Sequence, residues 1–233
     1  MAQTFKILSA LLSYPTDELK AAVSVFPAVL AQEGILDARQ AKGVAALIDE
    51  IHASDLLDLQ ERYVQLFDRS RTLSLHLFEH VHGESRDRGQ AMVDLQSLYE
   101  QRGLAISTTE LPDYLPLFLE FLSTLPKDEA FDLLTQPAHV LAALAERLRR
   151  RESSYAALLE ALSILGGADG VTASLSEEAD ENPNDFAALD AAWESEAVSF
   201  GPGVAKEGCP KVAGMLERLN QARSAAPGGR NNG

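Results

Sequence analysis

The sequence contains a single cysteine, Cys209, among its 233 residues. One thiol cannot build an intramolecular disulfide framework or a multi-thiolate zinc site, so both are excluded. No apolar run approaches the roughly 18–20 residues that a membrane-spanning helix needs, and the amino-terminal apolar stretch lacks a small-residue cleavage site. These features predict a protein of the reducing cytoplasm.

Basic residues are scarce, since 20 Lys and Arg stand against 35 Asp and Glu and give a formal net charge of −15. No lysine or arginine occurs between Arg151 and Lys206. An acidic surface repels phosphate backbones, and no basic stripe is interleaved with aromatic residues, so nucleic acid binding is not expected. A basic peptide would be attracted instead.

The motifs of several common enzyme classes are also missing. There is no G-x-x-x-x-G-K-[ST] loop, no G-x-G-x-x-G after a strand and no G-x-S-x-G elbow. Nucleotide-dependent chemistry and serine hydrolysis therefore lose their usual sequence support.

Alternating β-branched residues, the signature of strands, are absent, whereas apolar residues recur at helical spacing up to about Leu165. This pattern predicts an all-α, single-domain helical bundle over residues 1–165. Gly, Asp, Ser, Glu and Asn dominate thereafter, which predicts a flexible acidic C-terminal region over residues 166–233. Within it, residues 185–194 form a short amphipathic segment suited to docking on a surface, with its apolar residues at Phe186, Leu189 and Trp193.

Several helix ends are marked by capping residues. Thr16 and Asp55 are predicted to begin helices, because their side chains can accept hydrogen bonds from the first turn. Gly103 is placed to end a long helix that starts near Glu84. Asp113 is predicted to cap the following helix, which would place Pro116 in the first turn, where no intrahelical N–H is required.

One motif suggests catalysis, the sequence His76-Leu-Phe-Glu79-His80. It matches the H-x-x-E-H pattern of inverted zinc peptidases, in which two histidines bind zinc and the glutamate activates water. That chemistry needs a third protein ligand. Two alternatives stay open: the histidines are hydrogen-bonded helix residues, or Glu79, His80 and Glu84 line a polar groove.

An acidic corner precedes the proline-containing helix. Glu110 and Asp113 lie next to Pro112 and Tyr114, and carboxylates in such a position can pair with the arginines of a peptide. Helix capping is the alternative role of Asp113. The nearby aromatic residues either contact a peptide or, as the alternative, are core side chains.

Three sequence blocks occur in a distinctive order: YVQLFD at 63–68, LHLFEHVHGESRDRGQAM at 75–92 and ELPDYLPLFLEFL at 110–122. The opening LLSYP at 11–15 and the later ALDAAWE at 188–194 extend the pattern over most of the chain. Together these blocks resemble the NarJ-type assembly chaperones of respiratory nitrate reductase, which belong to the all-helical TorD-like superfamily.

The resemblance implies a dedicated chaperone that is not an enzyme and holds no cofactor of its own. Such proteins bind the catalytic, molybdenum-containing subunit in the cytoplasm, including its N-terminal peptide. They hold that subunit competent for molybdenum cofactor insertion and delay its docking to the membrane subunit. The alternatives are a chaperone of another molybdenum enzyme and a zinc hydrolase that uses His76, Glu79 and His80.

The resemblance also implies a peptide groove between the helix of Tyr63–Phe67, the 75–92 block and the helix that follows Asp113. Tyr114 replaces a histidine that is common in more distant relatives. The residues expected to bind the partner peptide are Tyr63, Phe67, His80, Glu84, Met92, Glu110, Pro112, Asp113, Tyr114 and Phe121.

Overall fold

The computed structural model describes residues 3–82, 86–106 and 110–168. These ranges contain α-helices joined by short turns and no strand, with an isolated antiparallel bridge between His76 and Tyr114. The all-α prediction is therefore confirmed for the described residues. Most of the predicted C-terminal region, including the segment at 185–194, lies outside them.

The helices follow one another closely along the chain. In chain order they are α1 (Gln3–Leu12), α2 (Asp17–Ala22), α3 (Phe26–Glu33), α4 (Ala38–Ala53), α5 (Leu56–Tyr63), α6 (Leu77–His82), α7 (Arg86–Gln101), α8 (Leu115–Thr124), α9 (Lys127–Leu134), α10 (Ala138–Arg150) and α11 (Tyr155–Leu165). A π-helical turn at Val64–Asp68 extends α5, and 3₁₀ turns occur at Val23–Val25 and Arg71–Leu73. None of the described helices combines the length and the apolar character needed to cross a bilayer.

Three of the predicted helix ends are confirmed by their hydrogen bonds. The Thr16 hydroxyl accepts from the Leu19 N–H at 3.2 Å, and the Asp55 carboxylate accepts from the Leu57 N–H at 2.8 Å. Gly103 adopts a left-handed conformation with φ +74° and ends α7. Only a residue without a side chain takes this backbone conformation at little cost.

The prediction that Asp113 caps the proline-containing helix is wrong. Helix α8 begins at Leu115, and its N-cap residue is Tyr114, whose side chain makes no capping hydrogen bond. The Asp113 carboxylate is instead directed at another helix, a long-range contact that local spacing does not reveal. Pro116 does lie in the first turn of α8, as predicted.

Helix α8 lies in the core, as its apolar sequence on two faces requires. Its fully buried residues include Leu115, Leu119 and Leu122, and each such side chain contributes about 1.5–3 kcal/mol of burial free energy. Helix α1 packs along α8, where the Ser9 hydroxyl donates to the Pro116 carbonyl oxygen at 2.6 Å. The core thus fixes the start of α8, which forms one side of the site described next.

Candidate functional site

A cleft of about 310 Å³ opens where the end of α5, the turn before α6 and the starts of α6 and α8 meet. These elements coincide with the three sequence blocks from which a groove was predicted. The cleft is lined by Tyr63, Phe67, Asp68, Ser70, Arg71, Ser74, Leu75, His76, Glu79 and Tyr114.

Aromatic rings form the inner wall of the cleft. The ring centroids of Tyr63 and Phe67 lie 4.9 Å apart, and Phe67 meets Tyr155 edge-on at 5.1 Å. Tyr14, which is 45% exposed, packs edge-on against Tyr63 at 5.6 Å. Tyr63 is held at the junction between α5 and the π-helical turn, a kind of turn that is frequent at functional sites.

Two tyrosine hydroxyls link the wall to the start of α8. The Tyr63 hydroxyl donates to the Leu12 carbonyl oxygen at 2.9 Å and lies 2.9 Å from the Tyr114 hydroxyl. Since Tyr63 has only one proton to give and a carbonyl can only accept, Tyr114 is the donor between the two hydroxyls. Burial raises the pKa of both phenols, so both stay neutral.

Asp113 holds the first turn of α6 from the side. Its carbonyl oxygen accepts from the Leu77 N–H at 3.1 Å, and its Oδ2 accepts from the Phe78 N–H at 3.0 Å. Its Oδ1 lies 3.2 Å from Nδ1 of His76. The side chain of Asp113 has no solvent exposure. Its carboxylate is satisfied by the Phe78 N–H and the His76 ring, and its backbone carbonyl oxygen is satisfied by the Leu77 N–H.

His76 lies between this buried carboxylate and the cleft. The hydrogen bond that Nδ1 of His76 donates to the Asp113 carboxylate raises the pKa of the imidazole above its ordinary value, although partial burial acts in the opposite direction. The imidazole ring packs against Tyr114 with centroids 5.4 Å apart. His76 therefore presents at the cleft wall an imidazole ring whose protonated form is favoured by Asp113.

The other members of the H-x-x-E-H motif are also engaged by protein groups. Nε2 of His80 lies 2.7 Å from the Ser74 carbonyl oxygen, and Glu79 forms an ion pair with Arg88 at 3.1 Å. Over the described ranges, no three His, Cys, Asp or Glu side chains are arranged to hold a metal ion. The zinc-hydrolase alternative thus finds no ligand set in this part of the chain.

The mouth of the cleft carries charges of both signs. Asp68 and Glu79 supply carboxylates, and Arg71 supplies a guanidinium. Partial burial raises the pKa of Asp68, because a low-dielectric surrounding disfavours the ionised carboxyl. An apolar side chain can contact the aromatic wall while a cationic group reaches these carboxylates.

Three of the ten residues predicted to bind a peptide line this cleft, namely Tyr63, Phe67 and Tyr114. Two others belong to the core behind it. The Pro112 carbonyl oxygen accepts from the Tyr99 hydroxyl at 2.8 Å, and Phe121 packs on the Tyr99 ring at 4.6 Å. Both side chains are buried, so they support the cleft from below.

The remaining predicted residues are dispersed. Glu110 is exposed, and His80 and Met92 are half-buried on α6 and α7, but the cleft lining includes none of the three. Asp113 is buried and contacts α6. Glu84 lies outside the described residues. A direct peptide contact by any of these five stays a prediction.

Sequence reasoning missed Asp68, Arg71 and Ser74 as cleft residues and considered His76 only as a zinc ligand or a hydrogen-bonded helix residue. Glu79 was considered both as the base of a zinc site and as part of a polar groove, and it does line the cleft. Asp68 closes the YVQLFD block that carried the resemblance, so its inclusion in the block was the available signal. Arg71 and Ser74 lie in the turn between two blocks. No spacing rule predicted that this turn would fold back over Phe67.

The sequence matches known proteins over most of its length. Residues 35–161 match the family described as nitrate reductase delta subunit. The chain is 44% identical over 227 residues to the nitrate reductase molybdenum cofactor assembly chaperone NarJ of Escherichia coli K12, covering 95% of this chain and 93% of that one. It is 45% identical over 202 residues to the protein named as a probable nitrate reductase molybdenum cofactor assembly chaperone, NarW, of the same organism, covering 85% and 84%.

A third relative comes from a different organism. The Bacillus subtilis protein that is likewise named as a probable NarJ is 35% identical over 160 residues, covering 68% of this chain and 85% of that one. The cleft-lining residues from Tyr63 to Tyr114 fall inside the range that the family matches. The chain belongs to the nitrate reductase delta subunit family.

Proposed function

We propose that this protein is a dedicated assembly chaperone for the catalytic subunit of a respiratory nitrate reductase. It binds that subunit in the cytoplasm, holds it competent for molybdenum cofactor insertion and delays its docking to the membrane. The relatives named as assembly chaperones support this role, because the match covers 93% of the E. coli K12 NarJ chain. A whole-length match supports a shared role more strongly than a shared module does.

The observation that carries the proposal at the level of residues is the cleft between α5, α6 and α8. We infer that it receives the N-terminal peptide of the catalytic subunit. An apolar side chain of a helical peptide would lie against Tyr63, Phe67 and Tyr114, as in other helix-in-groove complexes. Burial of one such side chain contributes about 1.5–3 kcal/mol.

The charges at the cleft mouth would orient the peptide. A lysine or arginine beside the apolar anchor can pair with Asp68, whereas Glu79 already pairs with Arg88. The formal charge of −15 further attracts a basic peptide and speeds its encounter. Binding by this arrangement weakens as salt increases, because the charges are accessible to solvent.

No chemical step is part of this role. His76, Glu79 and His80 are held by Asp113, Arg88 and Ser74, and the first two of them line the cleft. Asp113 acts through α6, because it fixes the helix that carries Glu79 into the cleft.

The proposal is tested by the molybdenum content of the nitrate reductase catalytic subunit, purified from cells that lack this protein and from cells that produce it. We expect molybdenum to be depleted without the protein and restored by the wild type. Asp68→Lys, which reverses a charge at the cleft mouth, should restore it poorly. Asp132→Lys, an exposed change on α9 outside the cleft lining, should restore it fully.

Equal molybdenum content with and without the protein would overturn the proposal. If the catalytic subunit of a different molybdenum enzyme became depleted instead, the client would be that enzyme. The Asp132→Lys control separates a local effect of Asp68→Lys on the cleft from a general effect of the charge reversal.

A further inference from the structure

A second cleft, of about 300 Å³, lies between α4 and α11. Its floor is made of small and aliphatic side chains, namely Gly43, Ala46, Ala157, Ala161 and Ile164. The two helices approach closely here, since a Cβ atom on Gly43 would lie 2.8 Å from the Cβ of Ala157. We call this cleft the α4–α11 groove.

The rim of the groove is basic in a protein that is otherwise acidic. Arg39 and Lys42 stand on its α4 side and are exposed. The one acidic residue of its lining, Glu160, is shared between Arg39 at 2.8 Å and Arg149 at 3.0 Å. Arg149 is also paired with Glu146. The two cations of the groove lining, Arg39 and Lys42, therefore outnumber its one carboxylate.

The chain leaves the described structure beside this groove. Ile164 is the last groove residue on α11. The described residues end at Ala168, whose N–H donates to the Ser163 carbonyl oxygen at 3.0 Å. Residues 169–184 would then connect to the amphipathic segment at 185–194. An extended linker of that length spans roughly 50 Å, and short tethers of this kind give effective concentrations of about millimolar.

The segment at 185–194 complements the groove in both polarity and charge. Phe186, Leu189 and Trp193 have the spacing of one helical face. Carboxylates at Asp185, Asp190 and Glu194 accompany them, and the whole stretch from 152 to 205 has no lysine or arginine. An apolar face bordered by carboxylates matches an apolar floor bordered by Arg39 and Lys42.

We propose that residues 185–194 dock as an amphipathic helix into the α4–α11 groove of the same chain. The apolar side chains cover the floor, and the carboxylates face the basic rim. The docking site is separate from the α5–α6–α8 cleft, and the inference does not depend on the identity of any client.

Trp193 provides a direct probe, because it is the only tryptophan in the chain. The experiment measures its emission maximum and its quenching by acrylamide in the full-length protein and in a synthetic peptide of residues 183–198. Docking predicts emission at shorter wavelength and weaker quenching in the protein than in the peptide. High salt should reduce this protection.

Two variants of α4 test whether the segment at 185–194 docks in the α4–α11 groove. Ala46→Glu places a carboxylate on the groove floor, whereas Ala53→Glu places one at an exposed position of α4 outside the groove. We expect Ala46→Glu to shift Trp193 emission toward that of the peptide and Ala53→Glu to leave it unchanged. The circular dichroism of both variants should equal that of the wild type, which shows that the helices are intact. Lys42→Glu, which reverses a rim charge at an exposed position, should act in the same direction as Ala46→Glu.

Four results would overturn the proposal. Trp193 could be quenched as readily in the protein as in the peptide, or its protection could survive both Ala46→Glu and Lys42→Glu. Protection that rises with protein concentration would assign the segment to a second copy of the chain. Protection that arises only after addition of the catalytic subunit would assign it to the client.

Discussion

Oδ2 of Asp113 accepts a hydrogen bond from the backbone N–H of Phe78 at 3.0 Å, across 35 residues of sequence. A carboxylate from the start of α8 thereby caps the first turn of α6, where negative charge is favoured. Helix α6 has six residues and is too short to be stable by itself. Its position depends on this long-range cap, and so does the Glu79 side of the cleft.

Asp113→Ala should lower the free energy of unfolding by about 1–3 kcal/mol, because buried donors of α6 lose their acceptor. Asp55→Ala is the matched control, since it removes an exposed helix cap and should cost about 1 kcal/mol. Urea unfolding followed by circular dichroism measures both. A smaller loss for Asp113→Ala than for Asp55→Ala would show that water replaces the carboxylate.

His76 should make stability depend on pH. Because the folded pKa lies above the ordinary value of 6.5, the protonated ring stabilises the fold fully below about pH 6.5 and this contribution is lost as pH rises through the folded pKa. The difference in unfolding free energy between wild type and His76→Asn should therefore shrink with rising pH. In an Asp113→Asn background the pH dependence of that difference should largely vanish, and its persistence would assign the shift to another group.

The two hydroxyls at the cleft should differ in their contribution to stability. Tyr63→Phe leaves the buried Leu12 carbonyl oxygen without its donor and should cost about 1–3 kcal/mol. Tyr114→Phe removes only a donor to Tyr63 and should cost about 0.5–1.5 kcal/mol. Chemical unfolding of both variants tests the order, and the reverse order would mean that the proton between the hydroxyls belongs to Tyr63.

Two glycines should respond to alanine in opposite directions. A Cβ atom on Gly166 would lie 2.7 Å from the Leu134 carbonyl oxygen, so Gly166→Ala should destabilise the fold by about 1–3 kcal/mol through overpacking. Gly89 lies inside α7 with open space around it, and Gly89→Ala should stabilise the fold by about 0.4–1 kcal/mol. Thermal unfolding measures both, and destabilisation by Gly89→Ala would contradict the open surroundings of that residue.

Local sequence signals were sufficient to predict much of the fold. Thr16, Asp55 and Gly103 act within one helical turn of their own positions, so the sequence around each of them predicts the helix end. The apolar faces of α8 likewise predict burial without any knowledge of neighbours. In each of these cases the interaction joins residues that are close together in the sequence.

The candidate site was harder to predict because the contacts that form it join residues far apart in the sequence. Asp113 has the spacing of a local cap, yet its carboxylate is taken by Phe78 and His76 in another helix. His80 has the spacing of a zinc ligand in the motif, yet its Nε2 lies 2.7 Å from the Ser74 carbonyl oxygen in the preceding turn. Tyr63, Phe67 and Tyr114 were placed in the groove by the family resemblance, which holds long-range information that periodicity lacks.

We propose above that the cleft between α5, α6 and α8 binds the N-terminal peptide of the catalytic subunit. Isothermal titration of the protein with a synthetic peptide of the first ~15–20 residues of that subunit, a length suited to a groove-bound helix, tests it most directly. We expect saturable binding that weakens with salt, is reduced roughly three- to tenfold by Asp68→Lys and is unchanged by Asp132→Lys. Absence of binding, or equal affinity in wild type and Asp68→Lys, would contradict it.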